Sequence, residues 1–172
     1  MEEKQQEKQE EQKRKGKVTS YIHGMYSKDK ACYSFGIYMK SDDGEKPVVD
    51  SGVGRNAEAL DMADAAGEII ATMRSVWWAK NRNYKDLEVH HSHISINRLA
   101  DGKWKPSNAI TERYVDYVKD AREAGLNITF VQAARFSNDE PNKNARKLAT
   151  RAMKNASAPG DEPNPAQEQN NE

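Results

Sequence analysis

The sequence predicts an α/β fold in which a mixed five-stranded sheet carries helices on its faces. Three segments rich in aromatic and β-branched residues come first in the chain of 172 residues, and two more strand-like segments then alternate with amphipathic helices. A meander followed by two helical crossovers gives an antiparallel three-stranded unit plus two parallel strands.

Five segments have the composition of strands. The ranges 18–26 and 31–40 combine aromatic and β-branched residues and are bounded by turn residues. A weaker strand at 48–54 follows a Ser-Asp-Asp-Gly turn. The range 87–92 is predicted to be a short strand, and 128–133, which reads ITFVQA, is predicted to be a buried one.

Four segments have helical patterns. Asn56 is a favourable N-cap for one long helix over 56–81, in which apolar residues recur at helical spacing. Residues 95–100 are predicted to form one or two helical turns. The range 110–124 is amphipathic and is followed by a glycine, and 141–153 begins with a proline suited to a first helical turn.

Two tryptophans are adjacent in the long helix, so only one of them can face the sheet fully. Apolar residues at helical spacing include Trp77, which is therefore predicted to lie in the core. Trp78 is then expected to be partly exposed or to lie at a partner contact.

Composition excludes several classes of protein. Twenty-seven basic residues balance twenty-seven acidic ones, which rules out nucleic-acid binding through bulk charge but leaves a local basic patch open. The single cysteine, Cys32, cannot form an internal disulfide, so a reducing, cytoplasmic location is expected. No apolar run approaches the roughly 18 residues of a membrane helix, and no membrane partner is expected.

Both ends of the chain are too polar to join a core. After Met1, the range 1–17 contains only Glu, Gln, Lys, Arg and one Gly, which predicts a charged tail that is disordered or a solvated helix. The range 155–172 holds three prolines and no large apolar residue, which predicts a disordered tail. The folded domain is therefore predicted to span 18–154.

Six local motifs follow one another through this domain. They are GMYS at 24–27, YSFG at 33–36, AGEI at 66–69, GKWKPSN at 102–108, FV at 130–131, and a frame of Asn, Ala, Leu and Ala at 142, 145, 148 and 149. In this order and at this spacing they resemble type 1 ribonuclease H, and most closely its bacterial variants with an A-G-E motif on the first helix. The resemblance covers 18–153.

The resemblance implies a ribonuclease H-like sheet and a known chemistry. That family hydrolyses the RNA strand of an RNA–DNA hybrid with two Mg²⁺ ions that bracket the scissile phosphate. Such ions need hard oxygen ligands, which the family supplies as three aspartates and one glutamate.

Three of these four carboxylates are replaced in this sequence. Glu68 keeps the glutamate position, whereas His23, Ser92 and Arg146 stand where the family has aspartate. Phe136 also replaces the histidine of a His-Ser pair before the last helix. One glutamate beside an arginine is not expected to retain two Mg²⁺ ions, so neither a metal site nor another cofactor is predicted.

Glu68 is instead predicted to form an ion pair with Arg146 or His23, in the space of the lost ions. Other carboxylates are candidates for replacing the lost ligands. They are predicted to be solvent-exposed or to cap helices instead: Asp61, Asp64, Asp139 and Glu140.

The histidines leave a zinc site as a lesser alternative. The two-residue period of a strand would let His90 join His23 in facing Glu68, and two histidines with one glutamate can hold zinc. His91 and His93 would then point to the opposite face. The spacing matches no known ligand motif, so packed histidines are favoured.

The loop with sequence GKWKPSN is a candidate nucleic-acid contact. By the resemblance, Lys103, Trp104, Lys105 and Asn108 touch the DNA strand, and Ser27 lies near the RNA backbone. Lysine binds phosphate, and tryptophan packs on sugar or base. Anchoring of the loop by Trp104 onto the next helix is an equally good interpretation.

These features favour a pseudoenzyme that binds an RNA–DNA hybrid or an RNA duplex without cutting it. Two alternatives stay open. One is a protein–protein interaction module on the same fold, with an unknown protein partner. The other is an active hybrid ribonuclease with a rearranged site.

Overall fold

A computed structural model describes residues 14–159, and the outer parts of both predicted tails lie outside these residues. The strands are β1 Lys15–Ser27, β2 Cys32–Ser41, β3 Val48–Gly54, β4 Tyr84–His91 and β5 Asn127–Gln132. The helices are α1 Ala57–Leu60, α2 Asp64–Asn81, α3 Ser95–Ala100, α4 Ala109–Glu123 and α5 Glu140–Asn155. Lys15, at the start of β1, lies inside the range 1–17 that was predicted to be tail.

The five strands form one mixed sheet in the order β3-β2-β1-β4-β5. The pairs β1–β2 and β2–β3 are antiparallel, whereas β1–β4 and β4–β5 are parallel. The predicted fold class is confirmed, because the meander and both parallel additions are present.

Helices α2 and α5 cover opposite faces of the sheet. The hydroxyls of Ser20 on β1 and Ser75 on α2 lie 2.7 Å apart, and Ser34 Oγ on β2 donates to Ala149 O on α5 at 2.8 Å. The core between the sheet and α2, α3 and α4 contains large buried side chains: Ile37, Ile69, Leu87, Val89, Ile96, Tyr114 and Val118.

Two glycines let α2 approach the centre of the sheet. A Cβ on Gly24 would lie 2.4 Å from Asp64 O, and a Cβ on Gly67 would lie 2.2 Å from Ser34 O. No side chain fits at either position, so the backbones of β1 and α2 are in direct contact. This close approach brings Glu68, the residue after Gly67, to the sheet.

The predicted helix over 56–81 is broken into two. Asn56 caps α1 as predicted, accepting hydrogen bonds from the N–H groups of Glu58 and Ala59. The chain then turns at Ala63, which has φ 51° and ψ −128°, before α2 begins. That left-handed φ ends helical propagation, and the apolar spacing across the break gives no sign of it.

The last strand, β5, is less buried than predicted. Because β5 is the edge strand beside β4, it has a neighbour on one side only. Ile128 is buried, whereas Val131 is 39% exposed. The apolar run ITFVQA therefore belongs to a half-covered strand, and the prediction of a buried strand is wrong.

The two adjacent tryptophans have the opposite roles to those predicted. Trp77 is 59% exposed, whereas Trp78 packs on the core and stacks on Tyr84 with ring centroids 5.5 Å apart. Small residues such as Ala79 fill the helix face that contacts the sheet, which leaves no space for Trp77 there. In the described part of the chain, no helix is both long and apolar enough to cross a membrane.

Candidate functional site

Glu68 lies in a closed hydrogen-bond network at the end of β4. Its side chain is fully buried, and its two oxygens accept from Ser92 N at 3.2 and 3.1 Å, from Ser92 Oγ, and from His93 N at 2.9 Å. The predicted ion pair with Arg146 or His23 is therefore wrong.

The network exists because β4 ends at His91. The N–H groups of Ser92 and His93 come after the last ladder bond, so they need other acceptors. Glu68 supplies both, and His91 Nδ1 closes the turn with a 2.9 Å bond to His93 O. The carboxylate thus acts as a cap for the strand end.

His23 is buried on β1 beside two arginines. It is 5% exposed, and its pKa is lowered to about 4, first by burial and then by the positive charges of Arg135 and Arg146, with a smaller effect of His93. The imidazole is therefore neutral at pH 7.

Arg135 is a site residue that the sequence analysis missed. It lies between β5 and α5, donates through Nη2 to Gly24 O at 3.0 Å, and lies 3.3 Å from an Asp64 carboxylate oxygen. Arg146 on α5 donates to Ser137 O at 3.2 Å. Only its place just before Phe136 could have drawn attention to Arg135, because a lone loop arginine carries no pattern.

The histidines do not assemble into the predicted zinc alternative. His90 lies 2.7 Å from Glu88, and its ring packs on Tyr21 with centroids 4.6 Å apart, so it does not contact Glu68. His91 is the buried histidine of β4, with its pKa lowered mainly by burial. Within residues 14–159, no cluster of three or more His, Cys, Asp or Glu side chains is suited to a metal ion.

The other carboxylates have structural partners or are exposed. Asp139 caps α5 by accepting from Asn142 N at 3.1 Å, and its pKa is lowered to about 2 by hydrogen bonds, first from Asn142 and then from Ser137. Asp61 and Glu140 are exposed, and Glu140 pairs with a lysine on its own helix.

The five predicted nucleic-acid contacts lie in two places. Lys103, Trp104 and Lys105 are exposed in the loop between α3 and α4, and Trp104 is 46% exposed. Asn108 caps α4 and donates to Glu58 O at 3.2 Å. Ser27 ends β1, where its hydroxyl accepts from Lys30 N at 3.1 Å.

Three solved structures share this arrangement of strands and helices. RNase H1 from the halophilic archaeon Halobacterium salinarum NRC-1 is 17% identical, with a TM-score of 0.66 over 82% of this chain and 100% of that chain. The N-terminal RNase H domain of a Mycobacterium tuberculosis protein is 16% identical, with a TM-score of 0.63, and the match covers 81% of this chain and 95% of that chain. LC11-RNase H1 in complex with an RNA/DNA hybrid is 14% identical, with a TM-score of 0.59, and the match covers 79% of this chain and 99% of that chain.

This chain has the ribonuclease H fold. Comparisons with protein-family models and with curated proteins gave no match. At these identities the likeness to solved structures establishes the fold alone, and the chemistry has to be argued from the residues.

The residues at this position of the ribonuclease H fold do not fit a pair of Mg²⁺ ions. Glu68, the one carboxylate that the motif match provides, already accepts hydrogen bonds on both oxygens. The groups nearby are a neutral imidazole and two guanidiniums, and the guanidiniums repel cations. The carboxylate of Asp64 is already paired with one of them, Arg135. Divalent ions of this kind need several free hard oxygen ligands, and this donor set does not supply them.

Proposed function

We propose that this chain is a non-catalytic nucleic-acid-binding domain with a ribonuclease H fold, and that its ligand is an RNA–DNA hybrid or an RNA duplex. The observation that carries the proposal is the closed network around Glu68. A carboxylate that caps the end of β4 cannot also bind a metal ion without losing those hydrogen bonds. The adjacent arginines favour phosphate over cations.

The exposed loop between α3 and α4 supports the nucleic-acid half of the proposal. Lys103 and Lys105 flank the half-exposed Trp104, so two phosphate ligands and one stacking surface lie within three residues. Asn108 joins the end of this loop to Glu58 O, and Ser27 at the end of β1 is a separate proposed contact. The complex of LC11-RNase H1 with an RNA/DNA hybrid offers a precedent on this fold.

The test is hybrid binding with a cleavage readout in the same samples. A fluorescently labelled RNA–DNA hybrid is titrated with protein in EDTA at several salt concentrations, and Mg²⁺ or Mn²⁺ is then added before a denaturing gel. We expect affinity to fall at least tenfold between about 50 and 200 mM salt, with no cleavage above a Glu68→Gln control.

Variants of the loop make the test specific. The double substitution Lys103→Ala/Lys105→Ala is expected to reduce the salt slope by about two, because two phosphate contacts are lost. The matched control is Lys85→Ala/Lys119→Ala, which changes two exposed lysines elsewhere and should leave the salt slope of hybrid binding unchanged. Absence of binding at low salt would refute the proposal, and metal-dependent cleavage would refute its non-catalytic half in favour of an active ribonuclease.

One observation favours the second candidate, a protein–protein interaction module. An apolar groove of about 490 Å³ lies beside the exposed Trp77 and is also lined by Ile70, Met73 and Tyr117. If the function is protein binding, Trp77→Ala abolishes association with the partner, while hybrid binding is absent at every salt concentration.

We also propose the division of the chain and its compartment. The predicted domain 18–154, extended by the first residues of β1 from Lys15 and by Asn155 at the end of α5, is assigned to the binding domain. The rest of the ranges 1–17 and 155–172 is assigned to tails. The buried free thiol of Cys32 supports a reducing, cytoplasmic location. Limited proteolysis followed by mass spectrometry tests the division, which predicts a resistant fragment close to 18–154.

A further inference from the structure

Phe136 forms an exposed aromatic surface next to two arginines. The ring is 71% exposed, and the guanidinium carbons of Arg135 and Arg146 each lie 5.8 Å from its centroid. We call these three residues the arginine–phenylalanine surface. Its place between β5 and α5 is separate from the lysine loop. The proposed function uses the two arginines only as positive charges that favour phosphate, and it does not use the ring.

The two guanidiniums are held in place with donors to spare. Arg135 uses Nη2 for Gly24 O and for Asp64, and its Nη1 is buried with no hydrogen-bond partner within residues 14–159. Arg146 donates through Nη1 to Ser137 O and has no carboxylate partner within the described range. A guanidinium has five N–H donors, so Arg146 retains several for an anion.

Arg146 also begins a basic groove along α5. This groove has a volume of about 360 Å³ and contains no carboxylate in its lining, which consists of Arg146, Lys147, Thr150, Arg151, Lys154 and Asn155. Lys147, Arg151 and Lys154 are exposed. Arg146 thus contacts both the Phe136 ring and the basic groove, so the ring and the groove form one continuous surface.

An exposed aromatic ring with two guanidiniums beside it matches the chemistry of an unpaired nucleotide. A base stacks on the ring, and phosphates bind the guanidiniums and lysines. A base inside a duplex cannot stack on the ring, because its neighbours cover both of its faces, and a terminal pair offers one face only at the blunt end. The ring therefore selects for a single-stranded segment.

We infer that the arginine–phenylalanine surface binds an unpaired nucleotide of a single-stranded overhang, and that the groove on α5 takes the phosphates that follow it, with no metal ion involved. This inference rests on the proposed binding of a nucleic-acid duplex and adds the path of a strand leaving that duplex.

The experiment compares blunt RNA–DNA hybrids with hybrids carrying a single-stranded overhang, all in EDTA. Overhangs on each strand and at each end are tested, because the surface does not fix the polarity. We expect at least one overhang to bind about tenfold more tightly than the blunt hybrid. Phe136→Leu should remove this preference and leave blunt binding unchanged, whereas Phe136→Tyr should keep it, since tyrosine still stacks.

Charge variants test the groove. Lys147→Ala/Arg151→Ala should lower the salt slope of overhang binding by about 1.4, because two contacts to single-strand phosphates are lost, while Arg113→Ala on the exposed side of α4 should not change it. Trp77→Leu is the matched control for loss of an exposed aromatic residue, and thermal unfolding checks that each variant folds.

The outcomes separate the two proposals. If wild-type protein binds blunt and overhang hybrids equally, or if Phe136→Leu keeps the preference, the inference is wrong and the proposed function stands. If wild-type protein binds none of these probes at low salt, both are wrong.

Discussion

At the scale of single residues, Glu68 has the hydrogen bonds of a structural group. A glutamate reserved for a metal ion is a buried charge that lacks partners when the metal is removed, and replacing it then relieves repulsion. Glu68 instead accepts from two backbone N–H groups and one hydroxyl. The two roles make opposite predictions for stability in chelator.

We expect Glu68→Gln to lower the free energy of unfolding by about 2–3 kcal/mol in EDTA, because an amide NH₂ would face backbone donors. Ser92→Ala, which removes only the hydroxyl donor, should cost about 1 kcal/mol. Urea unfolding measures both, with exposed Glu112→Gln as the control. A Glu68→Gln variant as stable as wild type would show that the carboxylate is not needed at the strand end.

His23 makes the stability of the fold depend on pH. Its folded pKa of about 4 lies below the ordinary value of 6.5, so the unfolded chain binds more protons between these two values. The neutral form therefore favours folding fully above pH 6.5, and this contribution is lost as the pH falls from 6.5 towards 4.

We expect wild-type protein to lose about 2 kcal/mol more than His23→Gln when the pH falls from about 7 to about 4.5. Urea unfolding at both pH values gives the difference, and NMR titration of the imidazole gives the pKa directly. His91, whose pKa is also lowered, is present in both proteins and cancels. If both proteins lost the same free energy of unfolding, the lowered pKa of His23 would be contradicted.

At the scale of elements, the break between α1 and α2 sets the position of Glu68. Ala63 adopts φ 51° and ψ −128°, a conformation that glycine adopts at little cost and alanine does not. The turn lets α2 begin anew and lie against Gly24. Strain at one residue thus accompanies the close contact between helix and strand.

Ala63→Gly is expected to raise the free energy of unfolding by about 1 kcal/mol, because it relieves this strain. Ala71→Gly, inside α2, should lower it by about 2 kcal/mol, because both helix propensity and the burial of one methyl group are lost. Chemical denaturation of both variants measures the effects. Destabilisation by Ala63→Gly would indicate that the turn is unstrained.

Most element boundaries follow from local sequence, and the exceptions have tertiary causes. The strand at Val48–Gly54 and the helix at Ser95–Ala100 are confirmed at both ends. A turn precedes the strand, whereas the helix begins after Ile94 without a side-chain cap. The break at Ala63 was missed because no glycine or proline marks it. Trp77 and β5 were misjudged because an apolar residue does not reveal which of its faces the rest of the protein covers.

At the scale of the whole molecule, the fold could be predicted from six short motifs, whereas the site could be predicted only in part. The order of the motifs predicted that Glu68 lies at the site. Its hydrogen-bond partners could not be predicted, because they are backbone groups that follow β4. Arg135 was missed because its contact with Gly24 joins residues that are 111 positions apart. Long-range contacts of this kind leave no periodic signal.

The central claim is that this end of the ribonuclease H fold holds hydrogen-bonded and positively charged groups where a metal pair would need free carboxylates. Its most direct test is a Mn²⁺ titration in which electron paramagnetic resonance follows the free ion. A His23→Asp/Ser92→Asp/Arg146→Asp variant is the comparison, and it should gain Mn²⁺ affinity while losing stability in EDTA. We predict no saturable binding by the wild-type chain below about 1 mM. Two saturable ions per wild-type chain, lost in Glu68→Gln, would contradict the account.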